Sequence, residues 1–152
     1  MLETVYLVKL PDYEEIKPQI KAYEAELMNT YGLWRQGSSP ESGPNEAVTG
    51  LTLEDMRNLI RSKVKAVAVD SFEVPEEAHK SMRSMLRRVR DEDASTYKLL
   101  QAIYQAIGIG PDDMEVFLAR ARKWSALESS PILDIYERAV SERLAVVTLA
   151  DE

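Results

Sequence analysis

The residue types that most often carry chemistry are scarce here. The 152 residues include one histidine, His79, and no cysteine. Without thiols there is no disulfide scaffold, no thiolate metal site and no thiol nucleophile. Serines and carboxylates abound, but a nucleophilic triad needs a base held by a third group, and no spacing selects a partner for His79. The chain has no Gly-x-Ser-x-Gly elbow and no Walker loop. Gly108-Ile109-Gly110 starts like a dinucleotide loop, but Asp112 and Asp113 follow, and their carboxylates would repel a pyrophosphate. His79 is therefore expected to be an ordinary surface residue. The residues point to a non-enzymatic chain with no cofactor and no metal.

Two acidic groups stand out, Asp91-Glu92-Asp93 and Asp112-Asp113-x-Glu115. Both fall where a helix begins. Carboxylates there accept from unpaired backbone N–H groups and complement the helix dipole. Neither fits a twelve-residue calcium loop, so capping is the expected role.

The most specific pattern lies in residues 76–90. Lys80, Arg83, Arg87 and Arg90 recur at spacings of three, four and three, with Arg88 beside them. Met82, Met85, Leu86 and Val89 occupy the opposite side. That spacing predicts a helix with an apolar side packed inward and a row of cations outward. Net charge is −7, yet residues 61–100 carry nine Lys/Arg against seven Asp/Glu, so only this stretch is net positive. Lys80, Arg83, Arg87, Arg88 and Arg90 are the expected partner-binding residues. The expected partner is another protein with an acidic patch, or a larger assembly, because an acidic chain opposes a polyanion.

The elements that position this row follow from local signals. Residues 4–10 are β-branched and aromatic and end at Pro11, which predicts a strand. Asp12 and Pro18 suggest a short turn and then a helix over 18–31. Its apolar stripe comprises Ile16, Ile20, Tyr23, Leu27, Tyr31 and Trp34. Residues 35–50 are rich in Gly, Ser and Pro and have no periodicity, which predicts a mobile loop that is also a candidate binding surface. Thr52 and Asp55 form a capping-box start. The phrase Gly50–Arg57 is similar to a helix start in MerR-type regulators, over eight residues only, and it assigns no family. Residues 64–74 have strand composition, although 64–69 could instead extend the preceding helix. Helices are expected over 76–90, 94–107, 112–124 and from Pro131 to about Leu144. Residues 145–149 read as a closing strand or a frayed helix end.

The fold class is α+β, predominantly helical, in a single domain over 1–152. A small sheet of two to three strands would carry helices on one face and a C-terminal helical layer. No apolar run reaches the roughly 20 residues that span a bilayer. Met1–Thr4 lack a basic stretch leading into an apolar one. A soluble, cytoplasmic protein with no membrane partner is expected.

The leading functional reading is an interaction module (adaptor, assembly component or regulatory inhibitor) docking through the basic row and the loop. A nucleic-acid-binding transcriptional regulator using the same row is the first alternative. Residues 94–124 could form a helix-turn-helix, though its second helix would begin with the acidic Asp112 and Asp113. An enzyme with a dispersed carboxylate site is the second alternative. Trp34 and Trp124 are candidate anchors at an interface, or core residues continuing apolar stripes.

Overall fold

The antiparallel sheet is built from strands far apart in the chain. β1 (Glu3–Lys9) pairs with β2 (Asp70–Val74) on one side and β4 (Leu144–Ala150) on the other; β4 also pairs with the two-residue β3 (Gly108–Ile109). The strand order is β2-β1-β4-β3. Six helices complete the described chain: α1 (Leu10–Tyr31), α2 (Leu53–Val67), α3 (Glu76–Glu92), α4 (Ala94–Gln105), α5 (Pro111–Ala121) and α6 (Pro131–Ser141). The computed structural model describes residues 3–31, 52–124 and 131–150; Trp34 and the expected loop at 35–50 lie outside them. The class is the expected helical α+β, with four strands in place of two to three.

Both faces of the sheet are covered, not one. Val5 and Leu7 of β1 join Leu144 and Val146 of β4 in a core with α3, α4, α5 and α6. The intervening residues Tyr6, Val8, Ala145 and Val147 point the other way, into a second core with α1 and α2. A half-exposed strand alternates apolar and polar residues, whereas one buried on both faces is apolar throughout. The unbroken runs Val5–Val8 and Leu144–Val147 have the second pattern.

Two local expectations give way to packing. α1 is one helix from Leu10, with Pro18 inside it rather than at its start. An interior proline costs about 3 kcal/mol. Pro18 is exposed, while Tyr13, Ile16, Ile20 and Tyr23 are buried around it, each contributing roughly 1.5–3 kcal/mol. Residues 64–74 are divided. Val64–Val67 end α2, because Met56, Ile60 and Val64 share one buried helical face; only Asp70–Val74 form a strand. The Thr52 capping box is present: Asp55 N–H donates to Thr52 Oγ1 at 3.1 Å, and the Asp55 side chain accepts from the Thr52 N–H.

Gly108-Ile109 belongs to the sheet, so α4 and α5 are not joined by a helix-turn-helix turn. Glu24 of α1 holds this short strand. Its carboxylate accepts from the Ile107 N–H at 2.7 Å and lies 3.0 Å from Lys21 Nζ. A side chain at Gly108 would place its Cβ 2.9 Å from the Tyr13 hydroxyl and 3.0 Å from Ile20. Only glycine lets the strand approach α1 so closely. At the outer edge, Arg138 of α6 pairs with Asp70 of β2 at 2.6 Å.

Candidate ligand-binding cleft

His79 is not on the surface. It lies three residues before Met82 and seven before Leu86, so it continues the buried stripe of α3. Only 8% of the residue is exposed. Its Nδ1 is 2.5 Å from the Tyr104 hydroxyl of α4, and its Nε2 is 2.9 Å from Glu3 Oε1 at the start of β1. Burial, and then the nearby Glu3 charge, raise the Tyr104 phenol well above its ordinary range. The phenol therefore keeps its proton, and its hydroxyl shares a hydrogen bond with Nδ1. The Nε2–Glu3 approach is poorly aligned for a hydrogen bond, so Nε2 makes a close electrostatic contact and its bonding capacity remains unfilled.

These three residues line a cleft of about 780 Å³. One wall comes from α1 and α2 through Leu27, Leu53 and Arg57; the other comes from α4 and α6 through Tyr104, Ile132 and Tyr136. Glu3 faces both Val74 and Ala150 across the antiparallel ladders, which fixes it at this end of the sheet. Burial also raises the Tyr136 phenol far above its usual value.

Among the described residues, six buried side-chain polar atoms make no hydrogen bond. Three of them belong to side chains that line this one cleft, Arg57, His79 and Gln105. Of the others, Arg61 and Arg88 bond through their remaining nitrogens. In folded proteins roughly nine in ten buried polar atoms are paired, so the Arg57 and Gln105 atoms leave unmet hydrogen-bonding capacity beside one cavity. No serine is among the described residues lining the cleft. The arrangement offers hydrogen bonds, an imidazole and apolar walls.

No family model matches this chain, and neither does any curated protein or solved structure.

The predicted cation row is a real face of α3, with its apolar side buried as expected: Met82, Met85, Leu86 and Val89 are at most 6% exposed. Lys80, Arg83, Arg87 and Arg90 are exposed. The row is partly neutralised from within the chain. Arg83 pairs with Glu76 at 2.6 Å and Arg90 with Asp91 at 3.5 Å. Arg88 is not part of the outer row: it is half-buried and donates to the Trp124 carbonyl at 2.9 Å. Trp124 packs against the larger core. Lys80, Arg83 and Arg87, with Ser81 and Ser84, border a shallow groove of about 570 Å³.

Of the two acidic groups only Asp93 forms a side-chain cap: Asp91 and Glu92 instead end α3, and Asp112 and Asp113 lie in the first turn of α5, where they complement the dipole but make no side-chain cap bond. Asp93 accepts from the Thr96 N–H at 3.1 Å and the Thr96 hydroxyl at 2.7 Å, and these bonds hold its carboxyl below its usual range. Asp112 accepts from Arg143 at 2.7 Å. Among the described residues no cluster of His, Cys, Asp or Glu could hold a metal ion, and no helix is long and apolar enough to cross a membrane.

One signal for this cleft was available in the sequence: the phase of His79 within its helix. Its place on the apolar stripe marks it as buried, and a buried imidazole needs partners. No spacing points to Glu3, Arg57 or Tyr104, since each comes from a different element.

Proposed function

We propose that this chain is a binding domain for a small amphipathic molecule, held in the cleft between α1/α2 and α4/α6. The observation that carries this reading is an apolar cleft lined by Arg57 and Gln105, each with a buried polar atom that makes no hydrogen bond, and by the His79 imidazole, whose Nε2 contacts Glu3. The cavity volume of about 780 Å³ is within the roughly 300–1,000 Å³ typical of small-molecule sites. Apolar walls with a few convergent polar groups are the usual composition of such sites.

The neutral fluorophore N-phenyl-1-naphthylamine tests the cleft without engaging a charge. Saturable fluorescence enhancement is expected with the full chain. It should disappear in Ala106→Trp, which fills the cleft from the end of α4 and should leave the far-ultraviolet circular dichroism unchanged. Absence of binding, or equal binding by a folded Ala106→Trp variant, would exclude the reading.

A second reading is that the chain is an interaction module whose α3 face docks an acidic protein. It is favoured by the groove between Lys80, Arg83 and Arg87; among the described residues, Lys80 and Arg87 have no ion-pair partner. A labelled Asp/Glu-rich peptide should then bind with an affinity that falls roughly thirtyfold in Lys80→Glu/Arg87→Glu, from about 1 kcal/mol at each reversed site. Identical anisotropy titrations for the two proteins would remove the α3 face from consideration. Tighter binding of duplex DNA, lost steeply with salt, would favour the nucleic-acid alternative instead.

A further inference from the structure

The geometry points to a carboxylate-bearing apolar molecule as the cleft's ligand, with Arg57 as its counter-ion; this rests on the cleft reading above. The other charged groups lining the cleft are already engaged or lie outside its interior. Arg83 is held by Glu76 at 2.6 Å, and Glu3 faces His79 at 2.9 Å. Glu54 is exposed in the first turn of α2, where a carboxylate complements the helix dipole.

Arg57 differs from all of these. It forms no ion pair or hydrogen bond with a described residue, and its Nε is buried. Met56 and Ile60, 5% and 1% exposed, anchor its helix to the sheet. The base of the Arg57 side chain is therefore fixed at the cleft wall.

A guanidinium is always charged and pairs with a carboxylate through two parallel N–H bonds. Arg57 lines the cleft and is its one cation with no partner among the described residues, so its guanidinium is uncommitted. Phosphate monoesters fit less well. They carry close to two negative charges, and this cleft offers one uncommitted guanidinium to balance them. A single negative charge on an apolar body satisfies Arg57 and leaves Leu27, Leu53 and Ile132 in contact with hydrocarbon.

Decanoate and decanol share the hydrocarbon and differ in charge, so their displacement of bound N-phenyl-1-naphthylamine at neutral pH isolates the role of Arg57. The ratio of decanoate to decanol affinity is expected to fall about tenfold in Arg57→Gln, the equivalent of one charged hydrogen bond. Because each ratio is taken within one protein, any change in its hold on the neutral probe cancels. A ratio that is the same in both proteins overturns the assignment of Arg57 while leaving the cleft reading in place. Failure of the neutral probe to bind the unaltered chain overturns both.

Discussion

Phe117→Ala is expected to destabilise the protein by about 3–5 kcal/mol in urea unfolding, the usual cost of truncating a buried aromatic. Phe117 is fully buried in the larger core. Its ring meets Tyr136 edge-on, with centroids 5.5 Å apart and planes at 86°. Removing it deletes the transfer free energy of the ring and leaves a void that helices fixed to a sheet cannot close. Domains are stable by only about 5–15 kcal/mol in total, so this one change takes a large share. Its effect should reach the cleft, because Tyr136 forms part of the wall. Phe117→Leu keeps most of the volume and should cost less than half as much. Equal urea midpoints for the alanine variant and the parent would mean that Phe117 is not packed as described.

Alkaline pH is expected to unfold the protein cooperatively above about pH 10. Burial raises the phenols of Tyr104 and Tyr136, and raises Tyr13 to about 12 with help from Glu24, Glu14 and Asp113. Unfolded phenols lose their protons near pH 10. Between that value and the higher folded values, the unfolded chain binds fewer protons than the folded one, so stability falls as pH rises. Below about pH 10 both states are protonated and the full stability remains. Each such phenol removes up to about 1.4 kcal/mol per pH unit across its window, and three act together. Phenolate absorbance should show part of the seven tyrosines ionising only as the circular dichroism collapses. Tyr136→Phe should make the loss with pH shallower. Ionisation of all seven near pH 10 with the fold intact would contradict the burial of these rings.

Much of the local structure was legible because it depends on residues three or four positions apart. The Thr52–Asp55 box starts α2, Asp93 caps α4 and Pro131 opens α6. The outward row of Lys80, Arg83, Arg87 and Arg90 follows from helical periodicity alone. Where local propensity conflicted with burial, as at Pro18 and Val64, burial prevailed: several apolar side chains on one face outweigh a single unfavourable residue.

The sequence by itself determined the helical α+β class, most element starts, the apolar side of α3 and the Asp93 cap of α4. Only the tertiary structure decided the strand order, the cover on both sheet faces, the inward role of Arg88 and the cleft. Capping and periodicity act within one or two helical turns, and their energies are set by neighbours in the chain. The cleft instead joins Glu3, Arg57, His79 and Tyr104 from β1, α2, α3 and α4. It exists because the antiparallel ladders set Glu3 between Val74 and Ala150, and because two helical layers bury the sheet from opposite sides. Pairings that close loops of tens of residues carry no local signal. They form when the apolar surface they bury outweighs the entropy of bringing distant segments together.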